Sequence, residues 1–225
     1  MLPADGDYFV SVTGFNTMQR QLGAGVQVNV LNSRDHADPF GQPDVSRLIV
    51  GGTIDESGIE TIGIAQSIDP GNFETEETAL ILLDVVPGPS DDSESFNAYI
   101  APSSDRVRFV GTALGNIASH EAGHYLGSFH VDQYNDVLNL MDQGGNFPLL
   151  YGVGPDGVGG TADDPDVDFA EDLLNPDEGF TGSRTRRRAR AGRYSHRGAQ
   201  RRGVNRSAAA APASSAPPTR PSRRP

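Results

Sequence analysis

Apolar positions in the first ninety residues fall into short runs separated by clusters of Gly, Pro, Asn and Asp. The runs are rich in β-branched and aliphatic side chains, a composition typical of strands. Four strands are therefore predicted, in VQVNVL (26–31), SRLIVGG (46–52), IETIGIA (59–65) and TALILLDVV (78–86). The last run is apolar almost throughout, as expected for a strand that is covered on both faces.

From about Asp105 the apolar spacing changes to intervals of three and four residues, which predicts a helix. The positions that carry this period are Val107, Val110, Leu114, Ile117 and Ala118. Ser103, Ser104 or Asp105 is suited to cap the first turn of the helix, and Gly127 is suited to end it. The sequence after Gly127 is rich in loop residues. Strands followed by one helix and an irregular end predict an α+β domain.

Charge divides the chain into two parts. Residues 1–182 carry all 30 acidic residues and five arginines, a net charge of 5 − 30 = −25, whereas residues 183–225 carry 13 arginines and no acid. The sum, −25 + 13, is the net charge of −12. We therefore predict one globular domain over residues 1–182 and an Arg/Ala/Pro-rich, disordered tail over residues 183–225.

Two interpretations of this tail remain open. A basic segment of this kind binds nucleic acid or an acidic surface. Alternatively, the absence of lysine indicates GC-rich coding. A shifted reading frame in such DNA yields an Arg/Ala/Pro/Gly/Ser-rich sequence that has no function. The acidic body is not expected to bind nucleic acid, whereas an acidic surface suits cations.

Several classes of protein are excluded by what the sequence lacks. It has no cysteine, so this chain forms no disulfide and has no thiolate chemistry. It has no run of 18 apolar residues, so no membrane span is expected. Its first residues, MLPADGDYFVSV, have neither the basic nor the apolar region of a signal peptide. If the protein is exported, this sequence is expected to be a mature form, a truncated gene model or a piece of a longer chain.

The histidines are concentrated in HEAGHYLGSFH (120–130), which holds three of the five in the chain. His120 and His124 are four residues apart near the end of the predicted helix, so their rings share one face. Gly127 can turn the chain sharply in the left-handed conformation and bring His130 to the same metal. Three neutral imidazoles suit Zn²⁺ and leave its fourth position to water, as in catalytic zinc sites.

Glu121 directly follows the first of these histidines and can reach that water as a general base. The five fixed positions of HExxHxxGxxH would arise by chance about once in 10⁵ chains of this composition. The ordinary alternative, a buried histidine pair satisfied by hydrogen bonds, does not account for the glutamate, the glycine and the third histidine. His36, in RDHADPFGQP, has too few histidines near it for a second zinc and is expected in a surface loop.

The motif resembles the signature of the metzincins, zinc endopeptidases in which a methionine turn follows the histidines. Met141, in NDVLNLMDQGGN, lies eleven residues after His130, and the resemblance implies that it forms a hydrophobic base under the zinc. Val131 matches no named subfamily, and Gln143 stands where astacin-like and serralysin-like enzymes have a tyrosine. Over residues 45–182 the chain is more similar to unassigned bacterial secreted metalloproteases, which implies an extracellular protein.

The resemblance also implies a layout. A twisted, mainly antiparallel-edged sheet would lie above the cleft, the zinc-binding helix would form its floor, and a loop-rich C-terminal subdomain would follow. In metzincins an edge strand of the sheet pairs with the extended substrate. TALILLDVV (78–86) is our candidate for that strand, because of its position and its β-propensity. The alternative is a central strand with no free edge.

An acidic loop carries a second set of potential ligands. GPDGVGGTADDPDVDF (154–169) places several carboxylates among glycines, at Asp156, Asp164, Asp166 and Asp168. Carboxylate oxygens suit Ca²⁺, although the segment does not follow the EF-hand pattern. A calcium site and a solvated acidic loop both remain open.

The expected function is hydrolysis of internal peptide bonds in a protein or peptide substrate, with a metal-bound water and Glu121 as general base. Two alternatives remain open. Because the motif reports the metal and the water but not the substrate, a zinc hydrolase of a non-protein substrate also fits. The other is a non-catalytic zinc-fold module of a larger surface protein, against which the intact Glu121 argues.

Overall fold

The computed structural model of the chain describes most of its first 178 residues, namely 14–18, 20–22, 28–33, 36–70, 73–143 and 146–178, together with the backbone at 188–189. The chain divides into two units, residues 1–195 and 196–225, and every described residue belongs to the first. The prediction of a disordered tail over 183–225 thus falls almost entirely outside the described residues.

Short elements surround one long helix. The helices are α1 (residues 14–18 and 20–22), α2 (Ile54–Ser57), α3 (Arg106–Tyr125) and α4 (Phe147–Tyr151), with 3₁₀ helices at Phe96–Ala98 and Pro176–Glu178. The strands are β1 (Arg47–Val50), β2 (Gly63–Ala65), β3 (Thr78–Ile81), β4 (Asp172–Leu173) and β5 (Arg188–Ala189). None of the helices in the described ranges has the length and apolar character needed to cross a membrane.

The first three strands form a mixed sheet with β3 in its centre. β1 runs parallel to β3, whereas β2 runs antiparallel to it, with Gly63 opposite Ile81 and Ala65 opposite Ala79. Ala79 and Ile81 are fully buried, and since they are two residues apart they lie on the same face of the sheet. β4 and β5 form a separate antiparallel pair.

The boundaries of α3 follow from its caps. The Asp105 side chain accepts a hydrogen bond of 3.0 Å from the Arg108 N–H, which satisfies one of the N–H groups that the first turn leaves unpaired. The helix ends at Tyr125, Leu126 caps it, and Gly127 continues the chain with a φ of 80°, a value that favours glycine. The predicted start and stop of this helix are confirmed.

Two apolar clusters hold α3 against the sheet. In the larger one, Phe96 meets Phe109 and Tyr151 edge to face, with ring centroids 5.6 Å and 4.7 Å apart. In the smaller one, small side chains predominate, among them Ala65, Ala79 and Ala122. Because these side chains are small, the sheet approaches the C-terminal half of the helix closely, in the region that carries the histidine motif.

Buried polar groups hold α1 against α3. The Gln21 amide donates to the Asn116 side chain (2.7 Å) and to the Val167 carbonyl (2.8 Å), and the Ser119 hydroxyl donates to the Gln21 carbonyl oxygen (2.5 Å). Gln21, Asn116 and Ser119 are all buried, and each meets its need for hydrogen bonds in this network. The short α1 was not among the elements predicted from the sequence.

Two strand predictions are corrected. The described part of VQVNVL, residues 28–31, has no strand partner; Val28 and Val30 instead pack against the smaller cluster. TALILLDVV forms a strand only at residues 78–81. Beyond the strand, the Asp84 side chain accepts a hydrogen bond from the Ile54 N–H at the start of α2. This strand is also central, with β1 and β2 on its two sides, so its prediction as the substrate-pairing edge is wrong.

Candidate metal centre

The C-terminal turns of α3 and the loop after them bring three histidines together. His120 and His124 lie one helical turn apart, with ring centroids separated by 4.9 Å. At Gly127 the chain packs so closely on the preceding loop that an added Cβ would lie 2.7 Å from Pro70 Cα. This tight turn returns the chain toward the helix and places the His130 ring 5.1 Å from His120 and 4.9 Å from His124.

The triad has the dimensions of a metal site. The candidate ligand nitrogens of the three residues all lie within 4.8 Å of one another, and Nε2 of His120 lies 3.2 Å from Nε2 of His130. Each of the three residues is at most 8% exposed. Among the described residues, this is the only group of three or more His, Cys, Asp or Glu side chains with that proximity.

Backbone carbonyls fix the ring orientations of the two helical histidines. Nδ1 of His120 lies 2.6 Å from the Leu140 carbonyl oxygen, and Nδ1 of His124 lies 2.7 Å from that of Ser128. Since a carbonyl oxygen only accepts, each Nδ1 carries the proton and each neutral ring offers its Nε2 lone pair. Metal-binding histidines are held in this way, by a carbonyl or carboxylate behind the ring.

The electrostatics of the triad favour a bound cation. Burial lowers the pKa of His130 to about 4, so the ring is neutral at neutral pH and can donate a lone pair. A cation placed between the rings would accept the lone pairs of the neutral imidazoles. The donor set therefore fits a metal ion that prefers imidazole ligands.

Glu121 lies on the sheet side of the helix, against β2. It is 4% exposed, and the Ala65 N–H donates a hydrogen bond to its carboxylate. Burial raises the pKa of Glu121 to about 8, and the hydrogen bond from Ala65 offsets a smaller part of that rise. Its Oε2 atom has no hydrogen-bond partner among the described residues, so this buried oxygen remains available to a reacting group.

Met141 lies directly against the helix. It is fully buried, and a Cβ added to Gly123 would lie 2.7 Å from its sulfur atom. Its backbone is fixed on both sides, because its N–H donates to the Asn139 side chain and its carbonyl accepts from the Val131 N–H. The sulfur thus contacts the helical turn between His120 and His124. The role of Met141 as a hydrophobic base under a metal stays a prediction.

The four aspartates considered for calcium do not form one site. Asp166 and Asp168 pair with Arg20 on the surface, at 2.5 Å and 2.8 Å. Asp164 accepts from the backbone N–H groups of residues 160 and 161, and Asp156 accepts from that of residue 158. Their carboxylates therefore bind an arginine or brace their own loop. His36 is exposed, as predicted for a surface loop.

Sequence reasoning missed the groups that hold the site in place. Gly63 and Ala65 contact the Glu121 carboxylate, and the carbonyls of Ser128 and Leu140 lie behind the histidine rings. All four of these contacts are made by the backbone or by the absence of a side chain. No residue type in the sequence signals such contacts.

Protein-family profiles, curated proteins and solved structures were all compared with the chain, and none matches it. The motif and the local geometry of the site are therefore what indicates a function for the chain.

Proposed function

We propose that the chain is a zinc-dependent endopeptidase. The observation that carries the proposal is the pairing of two features at the end of α3 and in the loop after it: three buried imidazoles with convergent nitrogens, and a buried carboxylate beside a strand that forms an edge of the sheet among the described residues. A structural zinc site is normally closed by four protein ligands. Here three histidines converge, and the neighbouring Glu121 supplies a base that a structural site does not need.

Zinc is the metal that the donor set favours. His120, His124 and His130 would hold it through neutral nitrogens, whereas Ca²⁺ and Mg²⁺ prefer oxygen ligands. When bound there, zinc would supply Lewis-acid chemistry, polarising a carbonyl and lowering the pKa of water. The choice among imidazole-binding metals also depends on their availability, so metal analysis is part of the test below.

Glu121 would manage the protons of the reaction. It accepts a proton from the water whose oxygen bonds to the scissile carbonyl carbon, and it returns a proton to the amine nitrogen as the C–N bond breaks. Burial alone favours its protonated form, but a cation near it would favour the carboxylate that a base requires. The products are two peptides, and no covalent intermediate with the protein is needed.

The sheet supports a peptide as the substrate. β2 is paired with β3 on one side only among the described residues. It runs past Glu121, so an extended peptide along this edge would lie beside the base. The Ala65 N–H at this edge already donates to Glu121, so the peptide would pair with the other backbone groups of the edge. This edge, rather than the one predicted in TALILLDVV, is the candidate for substrate pairing, and it favours a peptide over a small non-protein substrate.

The decisive comparison is between the wild type and Glu121→Gln, tested on casein with the metal content of each sample measured. We expect about one zinc per chain in both proteins, cleavage by the wild type that a chelator abolishes and zinc restores, and a loss of at least about 100-fold in the variant. Glu60→Gln, an exposed site, is the matched control and should retain full activity.

Each other outcome has a definite meaning. An active Glu121→Gln protein would remove the proposed base and with it the mechanism. A wild type that binds zinc but leaves casein intact would favour a hydrolase of a non-protein substrate or a non-catalytic zinc module. A chain without zinc would overturn the metal site itself.

A further inference from the structure

The strand next to Glu121 contains a glycine whose place in the sheet needs no special backbone. Gly63 opens β2, in a regular antiparallel register opposite Ile81, and its φ lies outside the left-handed region that favours glycine. Glycine weakens the interior of a strand, because it adds entropy to the unfolded chain and no packing to the folded one. The backbone conformation at position 63 therefore does not require a glycine, whereas the close approach of another group does.

That group is the Glu121 carboxylate. A Cβ built on Gly63 would lie 2.9 Å from Cδ and 3.1 Å from Cγ of Glu121, and closer still to Oε1. Distances below 3.0 Å are not tolerated by real carbon atoms, so one of the two residues would have to move. Gly63 and Ala65 are two residues apart and face the same way; Ala65 is 3% exposed and packs with Ala122 in the smaller cluster under α3.

The backbone of the same strand holds the carboxylate. The Leu82 N–H donates to the Ile62 carbonyl and the Gln66 N–H donates to the Thr78 carbonyl, so the even-numbered residues of β2 direct their polar groups toward β3. By alternation, the N–H and C=O groups of Gly63 and Ala65 point to the free edge. The Ala65 N–H there donates to Glu121. The carboxylate thus occupies the corner between the buried face of β2 and its free edge.

We propose that Gly63 is a positioning residue for Glu121. Because Gly63 has no side chain, the Glu121 carboxylate can lie directly against β2, where the Ala65 N–H holds it; we call this space the carboxylate seat. The proposal rests on the proposed function, since positioning a base matters only if the base acts. A seat of this kind fixes the carboxylate before substrate binds, and displacement of a reacting group by about 1 Å can cost on the order of 100-fold in rate.

Gly63→Ala in the full chain is the first test. The added methyl should displace the carboxylate, lower kcat by about 10- to 100-fold, and change KM by less than about 3-fold. Zinc content should stay at about one per chain, because no histidine is touched. Gly115→Ala is the matched control: its Cβ would be equally crowded, 2.7 Å from Thr17 Cβ, but between α3 and α1. It should lower the melting temperature and leave kcat near the wild-type value.

Shortening the glutamate supplies a rescue. Aspartate withdraws the carboxylate by one methylene, so Gly63→Ala should cost kcat less than about 3-fold in a Glu121→Asp background, although that background is itself slow. Equal losses of kcat in both backgrounds would reduce Gly63 to a packing residue. A Gly63→Ala enzyme with wild-type kcat would overturn the proposal directly.

A stability measurement tests the contact between Gly63 and Glu121 even if the chain cleaves no substrate. Gly63→Ala should lower Tm by about 5 °C in the wild type, as expected for an overpacked contact. In a Glu121→Ala background, where the carboxylate is gone, the shift should fall below about 1 °C. Equal shifts in both backgrounds would disprove the seat. Absence of cleavage by the wild type would instead disprove the proposed function, so the two failures are distinguishable.

Discussion

Asp142, the residue after the methionine of the site, is buried with its charge uncompensated. It is 1% exposed, and its carboxylate oxygens make no hydrogen bond of ordinary geometry among the described residues, only a weak contact with the Asn146 side chain. Burial, and to a smaller degree the nearby Asp172 and Asp132, raise its pKa to about 7, and the Asn146 side chain offsets a little of that rise. A buried carboxylate in this position is therefore protonated at acidic pH and becomes costly as it ionises.

The first prediction concerns this residue. Its pKa is about 7 in the folded chain, above the ordinary value of 3.8, so the folded state binds more protons between these pH values. Its contribution to stability is complete below pH 3.8 and is lost as the pH rises through 7. The free energy of unfolding of Asp142→Asn, relative to that of the wild type, should therefore increase by about 2–4 kcal/mol between pH 4 and pH 8.

Urea unfolding of the metal-free proteins at several pH values measures this gain. Exposed Asp136 provides the matched control, because Asp136→Asn should follow the wild-type curve within about 0.5 kcal/mol. If the free energies of unfolding of Asp142→Asn and the wild type change in parallel across the pH range, the carboxylate has a partner and the raised pKa of Asp142 is wrong.

At the scale of the element, a glycine of α3, Gly123, allows the loop around Met141 to pack directly against the helix at the site. A Cβ on Gly123 would lie 2.7 Å from the Met141 sulfur and 2.9 Å from Phe169 Cε1. Glycine inside a helix costs about 1 kcal/mol relative to alanine. This cost is offset by the contact between the helix and the loop beneath the histidines.

The second prediction separates these two effects. Gly123→Ala gains about 1 kcal/mol of helix propensity but crowds the methionine, and overpacking of this kind costs about 1–3 kcal/mol. Because two neighbours must move, we expect a net loss, seen as a Tm lowered by about 2–6 °C. Val107→Ala, at an exposed position of the same helix, should change Tm by less than about 2 °C. A higher Tm for Gly123→Ala would show that the gain in helix propensity outweighs the crowding of Met141.

The same helix shows how far the sequence predicts the fold. The cap at Asp105 and the stop at Gly127 are local signals, and the structure agrees with both. The predicted period also falls on the helix, although Val107, its first position, is exposed. The runs at 46–52 and 59–65 also contain the strands β1 and β2. The order of the strands is a non-local property, because it depends on which strand the chain places between the other two. Hydrophobic pattern does not report that order, so the edge was assigned to the wrong strand.

The candidate site divides in a similar way. Side chains that carry chemistry, His120, His124, His130 and Glu121, are visible in the motif, and the structure gathers the three histidines. Their supports are backbone carbonyls, a backbone N–H and the empty space at Gly63. Such supports depend on the tertiary fold, which decides where each main-chain group points.

At the scale of the whole molecule, a metal would be a main source of stability. The chain has no cysteine and therefore no disulfide, and residues 1–182 carry a net charge of −25, which favours expansion through self-repulsion. A cation at the triad would link the C-terminal end of α3 to the loop beyond Gly127. The Leu140 carbonyl behind His120 extends this link to the methionine turn.

Removal of the metal should therefore weaken the fold in a way that depends on the histidines. At a free zinc concentration of about 1,000 times Kd, binding adds about 4 kcal/mol to the folded state, which for a domain of this size is a rise in Tm of about 8–16 °C. A chelator should remove that rise, and His124→Ala should abolish it, whereas His36→Ala, at an exposed loop position, should retain it. Calcium at the same concentration should leave Tm unchanged, since the triad offers nitrogen rather than oxygen. A rise in Tm with calcium, or with zinc in the His124→Ala protein, would place the stabilising ion elsewhere.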